Sequence, residues 1–349
     1  MVAFSNLHHR LWDKDHYIFD ACGSHQDDLA AWVTARRIEF GDVNCLKDDF
    51  TDYDNTHSKF SLKFCREYCE RFGASGDCLA CLKGQELHQT YKTKDGTVIV
   101  VPPRLKSGVP NTTRYNIIAN GAAHDFVYRS LGFTPGRDYR IMLLGDDNVT
   151  FCVPALREQS REISARMRRL GFISKIVPCD RHSLRFCSNA FYDIDGSAMP
   201  APGPLPGRCL PKLGFTAAAL GNNANAHLAH RRGVALGLIK QARHVPYIGA
   251  YLEVELQVTA HVQFTPKEKH ILQRASKETE IHHFIGAGRQ STAATYAFTD
   301  VMTGLPLGTA LAWEKDYRER GGKVGFYGTA ALINGLTQWQ IMDALRLAV

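Results

Sequence analysis

Residues able to do chemistry stand in three short stretches of this 349-residue chain. The first is Gly145-Asp146-Asp147-Asn148, set between two apolar, β-favouring runs, Ile141 to Leu144 and Val149 to Val153. Two adjacent carboxylates between buried strands repel each other and lose hydration, so folding alone gives little reason to place them there. A divalent cation gives one: magnesium prefers oxygen ligands and takes one or two carboxylates together with substrate phosphates. The plainer account is that Gly, Asp and Asn all suit a tight turn. The second stretch, Asp49-Phe50-Thr51-Asp52-Tyr53-Asp54, places Asp49 at a strand end and Asp54 where a helix approaches, so that both can face one cavity. Here the alternative is that Asp54 or Asn55 caps the helix. The third begins at Ser107-Gly108, a glycine loop that opens a helix and can present backbone donors to a phosphate or a sugar. Thr112 and Asn116 lie one turn apart on that helix and project together, although a capped amphipathic helix explains either residue singly.

Ordinary elements must hold these stretches. Residues 139–153 read as a hairpin. The spacing predicts helices over Asp27 to Ile38, Ser58 to Phe72, about Asn111 to Leu131, and Pro154 to Leu170, the last with Pro at its start and Gly171 at its end. In the second of these, Phe60, Phe64 and Tyr68 recur at helical spacing and are expected in the core. Strands are expected from Cys45, at Phe172 to Val177, and at Leu184 to Tyr192 leading into an Asp195-Gly196 turn. A further hairpin is expected around Lys94-Asp95-Gly96. The proline-rich run 199–214 marks a lobe boundary, and 215–349 reads as mainly helical. The resulting class is α/β, more narrowly α+β.

Composition narrows the function. With 44% hydrophobic and 22% charged residues the chain is an ordinary globular one, long enough for two or three lobes. Its 42 Lys plus Arg against 35 Asp plus Glu leave a net charge of +7, which suits a polyanionic partner. Arg157, Arg161, Arg166, Arg168 and Arg169 crowd one helical segment, and His230-Arg231-Arg232 forms a smaller basic run. No apolar run is long enough for a membrane span, and the first twenty residues are too polar for a signal peptide, so a soluble, non-secreted chain is expected. Ten scattered cysteines suggest a reducing compartment. Cys65, Cys69, Cys78 and Cys81 have spacings that can hold a structural zinc, with small buried residues one helical turn apart as the plainer account.

Together, Asp49 to Asp54, Ser107-Gly-x3-Thr112-x3-Asn116 and Gly145-Asp146-Asp147 resemble, in order and spacing, motifs A, B and C of the RNA-dependent RNA polymerases of positive-strand RNA viruses. The resemblance continues to motif D, where the helix ends in Leu170-Gly-Phe-Ile-Ser-Lys175, and to motif E at Phe186-Cys187-Ser188, covering roughly residues 45–215. It implies a right-hand polymerase with an antiparallel palm sheet flanked by helices. Residues 1–44 would be partial fingers, 45–60 palm, 61–104 a fingers insertion, 105–198 palm again, and 199–349 a mainly helical thumb and C-terminal region. It also implies two magnesium (or manganese) ions on Asp49, Asp146 and Asp147, nucleotide triphosphates and an RNA template and primer as partners, and Lys175 as proton donor to the leaving pyrophosphate. Asp54 and Asn116 would meet the ribose 2′-hydroxyl, and Ser107 and Gly108 would form a mobile loop beside Thr112. Other viral replication proteins, in a membrane-associated complex in host cytoplasm, complete the implied setting. The basic motif F that such enzymes carry upstream of motif A has no good counterpart before Asp49, Arg36-Arg37 being a poor one, so a palm-and-thumb portion of a longer polymerase is expected.

Three other functions compete. A reverse transcriptase would place a bulky aromatic gate where Asp54 stands. A catalytically silent RNA-binding palm would not need all three aspartates, and a two-metal nuclease or phosphatase would not explain the ribose-facing pair.

Overall fold

A computed structural model describes residues 8, 10–213, 224–265, 290–304 and 306–321 of the chain. They form a mixture of helices and strands divided into two units, Met1–Ser24 with Ala35–Cys187 and His25–Thr34 with Ser188–Val349. The candidate site lies wholly in the first.

The first unit is built on five strands: β1 (Ile18–Asp20), β2 (Cys45–Phe50), β5 (Tyr139–Leu144), β6 (Asp147–Cys152) and β7 (Ser174–Cys179), in the order β1-β5-β6-β2-β7. The expected antiparallel sheet is in fact mixed, because β1 runs parallel to β5 with Ile18 beside Ile141. Parallel strands need a long crossover, and here the whole of 21–138 intervenes. A separate hairpin, β3 (Gln89–Lys92) with β4 (Val98–Val101), forms around the Lys-Asp-Gly turn as expected. Both faces of the β5–β6 hairpin are buried, Ile141 and Leu143 on one and Val149 and Phe151 on the other, so it lies in the interior of the unit.

Helix α1 (Gln26–Phe40) precedes β2, and α2 (Tyr53–Thr56), α3 (Lys59–Arg71) and α4 (Gly76–Gly84) follow it. Ser58 caps α3 by accepting from Ser61 N. The core face of α3 is not the aromatic stripe. Leu62, Cys65 and Cys69 are buried, whereas Phe60 is 81% exposed and Phe64 39%. Two apolar stripes compete on this helix, and the narrower one of Leu and Cys is what fits against Tyr115 and Ile118. Helix α5 (Thr112–Ser130) is buried along most of its length and packs on the sheet. At Gly121 an added Cβ would lie 2.8 Å from Trp12 and 2.9 Å from Leu143, so only glycine permits that approach. The single helix expected over 154–170 is two, α6 (Pro154–Arg157) and α7 (Ser160–Arg169). Gln159 N bonds back three residues to Leu156 O, which tightens the turn and ends the first helix.

In the second unit, β8 (Asn189–Tyr192) begins later than the alternation from Leu184 suggests, and its partner is β9 (Ala201–Pro204), inside the proline-rich run. Prolines are tolerated there because a two-stranded sheet leaves both strands an edge with no donor to supply. Beside residues 26–34 of α1, the unit's described helices include α8 (Pro206–Cys209), α9 (Ala224–Ala242), α10 (Ile248–Val258), α11 (Ala293–Thr303) and α12 (Leu307–Glu319). Tyr192, Val245, Tyr247, Leu252 and Phe298 form its core. The expectation of a mainly helical end holds for these elements, and residues 215–223, 266–289, 305 and 322–349 lie outside the described residues. Among the described residues no helix is long and apolar enough to cross a membrane.

Candidate active site

Register brings the acidic stretches together. In the β2–β6 ladder Asp48 stands opposite Asn148, so the next positions along it are Asp49 and Asp147. Side chains alternate along a strand, and directly opposed residues share a face. One face therefore carries Asp48 and Asn148 against α5, and the other carries Asp49, Asp147 and Lys175, which opposes Asp49 in the β2–β7 ladder. Asp146 sits between β5 and β6 in a two-residue turn whose first residue, Gly145, has φ +65°. A positive φ at that position matches the twist of the flanking strands, and glycine adopts it without a steric cost.

The electrostatics record the crowding. Burial, then the charge of Asp146, and after it that of Asp49, push the Asp147 carboxyl up to about 6, against a hydrogen bond with Cys187 that favours the ionised form. Burial and the Asp147 charge raise the Cys187 thiol in turn. Cys187 holds φ +49°, an uncommon conformation for a residue with a side chain, where it meets Asp147. Asp146 and Asp49 themselves are exposed. Asp49 and Asp147 on one sheet face, with Asp146 in the adjoining turn, offer the hard oxygen donors that a divalent cation suits, without forming a ready three-carboxylate cluster among the described residues.

The second cluster is assembled around Asp54. Its Oδ1 accepts from Asn116 Nδ2 at 2.8 Å and its Oδ2 from the Ser107 hydroxyl. A carboxylate only accepts, so the Asn116 amide must point its nitrogen at Asp54 and its oxygen at His57 Nε2, 3.1 Å away. His57 thus donates from Nε2, and its buried Nδ1 has no partner among the described residues. Burial holds this imidazole at a pKa of about 4, although Asn116 and the Asp54 charge both act in the opposite direction. Tyr53 OH donates to the Asn116 carbonyl at 3.3 Å, locking the helix turn beneath.

Thr112 does not join this cluster: its hydroxyl donates to Lys106 O at 2.6 Å and ties the loop to α5. Gly108, with φ +80°, is exposed and has open space where a Cβ would be. Lys106 lies 4.9 Å over the Tyr91 ring of β3, and Arg104 donates to Asn55 of α2 at 3.2 Å, so the loop's two basic residues are held by different elements.

Several site residues escaped the sequence reading. Asn120 and His124 continue the spacing of Thr112 and Asn116 along α5, and Tyr128 follows them, a polar stripe of period four whose signal was present. Asn148 adjoins the acidic pair. Asp48, buried where its neighbour Asp49 is exposed, brings its Oδ2 to 3.0 Å from His124 Nε2. Arg114 and His8 both contact the buried Asp20, which pins β1 to α5.

Of the four cysteines considered for zinc, Cys65 and Cys69 are buried in the core, Cys78 is half-buried and Cys81 exposed, and Cys65 Sγ donates to Tyr115 O. No ready cage of three or more His, Cys, Asp or Glu side chains occurs among the described residues. Arg161, Arg168 and Arg169 are exposed on α7, whereas Arg166 is held by Glu162 at 2.7 Å and Ser130. In the downstream run Arg231 forms a two-pronged pair with Glu255 and Arg232 caps the end of α10, so both serve the second unit's packing. Set against known proteins, the chain matches no family model and shows no significant match to a curated protein sequence.

Proposed function

We propose that the chain is an RNA-dependent RNA polymerase of the positive-strand viral kind. In this reading the first unit is the palm with part of the fingers, and the helices of the second belong to the thumb. The observation that carries it is that Asp49 and Asp147 share one sheet face, with Asp146 in the adjoining turn close enough for its charge to act on Asp147, while the chain just beyond the same strand carries Asp54, held by Asn116 of α5. A metal hydrolase needs the first group but has no use for the second.

Asp49, Asp146 and Asp147 would hold magnesium or manganese, and the mutual repulsion that raises Asp147 is what a bound cation would relieve. Bound there, the ions would polarise the nucleotide phosphates and favour the ionised 3′-hydroxyl. The chain's own groups do the rest. Asp54, oriented by Asn116, accepts from a ribose 2′-hydroxyl at the oxygen that Ser107 occupies. Lys175, across the ladder from Asp49, would give a proton to the departing pyrophosphate. Exposed Arg161, Arg168 and Arg169 follow the RNA backbone through its phosphates, independent of sequence. RNA template and primer, nucleoside triphosphates and other replication proteins are the partners of such an enzyme.

Template-dependent incorporation by the purified chain, supplied with magnesium or manganese, tests the proposal. Asp49→Ala and Asp146→Ala are expected to reduce incorporation to background while RNA affinity stays within about twofold, since removing a surface carboxylate leaves the phosphate contacts intact. Substantial incorporation by either variant would overturn the two-metal assignment.

A further inference from the structure

Asn120 ends a chain of buried hydrogen bonds whose donors all point one way. Its Nδ2 donates to two backbone carbonyls of the acidic turn, Gly145 O at 3.3 Å and Asp146 O at 3.2 Å. Carbonyls only accept, so the amide orientation is set and Oδ1 is left as an acceptor. It receives Asn148 Nδ2 at 3.1 Å. The Asn148 oxygen then faces Thr150, whose hydroxyl donates to it at 3.2 Å. With its hydrogen spent, Thr150 Oγ1 accepts from Tyr128 OH at 3.1 Å. Tyr128 and Asn120 belong to α5, Asn148 and Thr150 to β6, and none of the four is more than 3% exposed. His124, between the two α5 members, lies 3.2 Å from Asn148 Nδ2 and reaches Asp48 on β2.

Packing gives no reason for this arrangement. Apolar side chains of the same shape would fill the space, whereas a buried polar network costs stability unless every member is satisfied. What the polar chain supplies is a rigid donor aimed at the two carbonyls flanking the Asp146 α-carbon. Asp146 is exposed in that two-residue turn and its carboxylate repels that of Asp147 on β6, so a clamp on its two flanking carbonyls adds to what the turn geometry itself fixes.

We infer that Asn120 is a positioning residue: it clamps the Gly145 and Asp146 carbonyls and thereby sets the divalent-cation affinity of the aspartates on that turn. The inference rests on the proposed polymerase reading for the cation's presence, and on the hydrogen-bond chain for the residue. Side chains that orient metal ligands from behind typically cost about 10–100-fold in metal affinity when removed.

The test measures manganese binding to the full chain by calorimetry, and hydrogen exchange of the 145–148 amides in metal-free protein. The proteins compared are wild type, Asn120→Ala, Asn120→Asp, Tyr128→Phe and Asp146→Ala. The Asp variant keeps the size of Asn120 but turns acceptors toward both carbonyls, and it carries the test if the Ala variant fails to fold. Both Asn120 variants are expected to bind manganese about tenfold more weakly or worse and to exchange the turn amides faster at a melting temperature matched by Tyr128→Phe. Tyr128→Phe removes a bond from the far end of the same chain and should leave manganese affinity within about twofold, which a merely stabilising role for the network would not predict. If Asp146→Ala abolishes binding but both Asn120 variants match wild type, the inference is overturned and the polymerase reading survives. If wild type binds no manganese, both fall.

Discussion

Lys175 stands directly across from Asp49 in the β2–β7 ladder, with its side chain on the same face of the sheet. A cation beside a proposed metal ligand can act as an acid toward the leaving group or as a charge that tempers the aspartates. Substitution separates the two. Lys175→Met is expected to slow single-turnover incorporation by about 10²-fold or more, the range for losing a general acid. Lys175→Arg, which keeps the charge but does not release a proton near neutral pH, should recover little of it. Recovery to near the wild-type rate by Arg would assign Lys175 a purely electrostatic role. Rapid-quench measurement of the two variants across pH 6–9 decides it.

Sugar selection is expected to reside in Asp54 and Asn116. Replacing either by Ala leaves the other without its partner and should lower discrimination between ribo- and deoxyribonucleotides by about 1–3 kcal/mol, read as the ratio of the two kcat/KM values. Unchanged ratios would remove both residues from this role.

His57 predicts a pH dependence of stability. Its pKa falls from 6.5 to about 4 on folding, through burial above all, so protonation favours the unfolded chain. The stabilising effect of keeping it neutral is fully present above pH 6.5 and is lost as pH falls from there toward 4, amounting to about 3 kcal/mol at the lower end. The Asp54 charge opposes this by favouring the imidazolium. Urea unfolding at pH 7.5 and 5 should show a stability loss in wild type that is smaller in His57→Gln. That variant can still donate to Asn116, so its sugar discrimination should exceed that of His57→Leu.

Repulsion among the aspartates predicts a gain in stability when one charge is deleted. In metal-free protein Asp146→Asn should raise the melting temperature, by an amount corresponding to about 1 kcal/mol, because Asp147 then ionises beside one negative charge fewer. Added magnesium should narrow the difference by stabilising wild type alone. A lower melting temperature for Asp146→Asn without metal would contradict the electrostatic picture.

The parts of this site that could be read from the sequence are those whose chemistry sits next to a turn. Asp146 and Asp147 are announced by glycine and flanking apolar runs, and Asp49 and Asp54 by their place between strand and helix. Asn120, His124 and Tyr128 shared a visible stripe with Asn116, but their role depends on Asn148 and Thr150, and only the β2–β6 register reveals that Asn148 turns toward α5 while Asp147 turns away. His57 is buried because the short α2 folds it against Tyr53 and Phe172, which no spacing rule anticipates. Phe60 and Phe64 show the opposite failure: periodicity located a stripe on α3 without saying which of two stripes faces inward.

The strand order β1-β5-β6-β2-β7 also governs time. Ile18 must find Ile141, and Cys45 must find both Phe151 and Cys179, so the sheet closes only after segments far apart in the chain have met. Each such meeting bears a loop-closure entropy before any contact rewards it, which places the first unit among slow folders. The apolar β5 and β6 hairpin, the most local part of the sheet, is expected to pair before its neighbours cover its edges, and an open apolar edge pairs readily with another chain. Refolding at high concentration should therefore aggregate through residues 139–152, the segment that carries the acidic turn, and dilution or synthesis at low temperature should favour the native sheet.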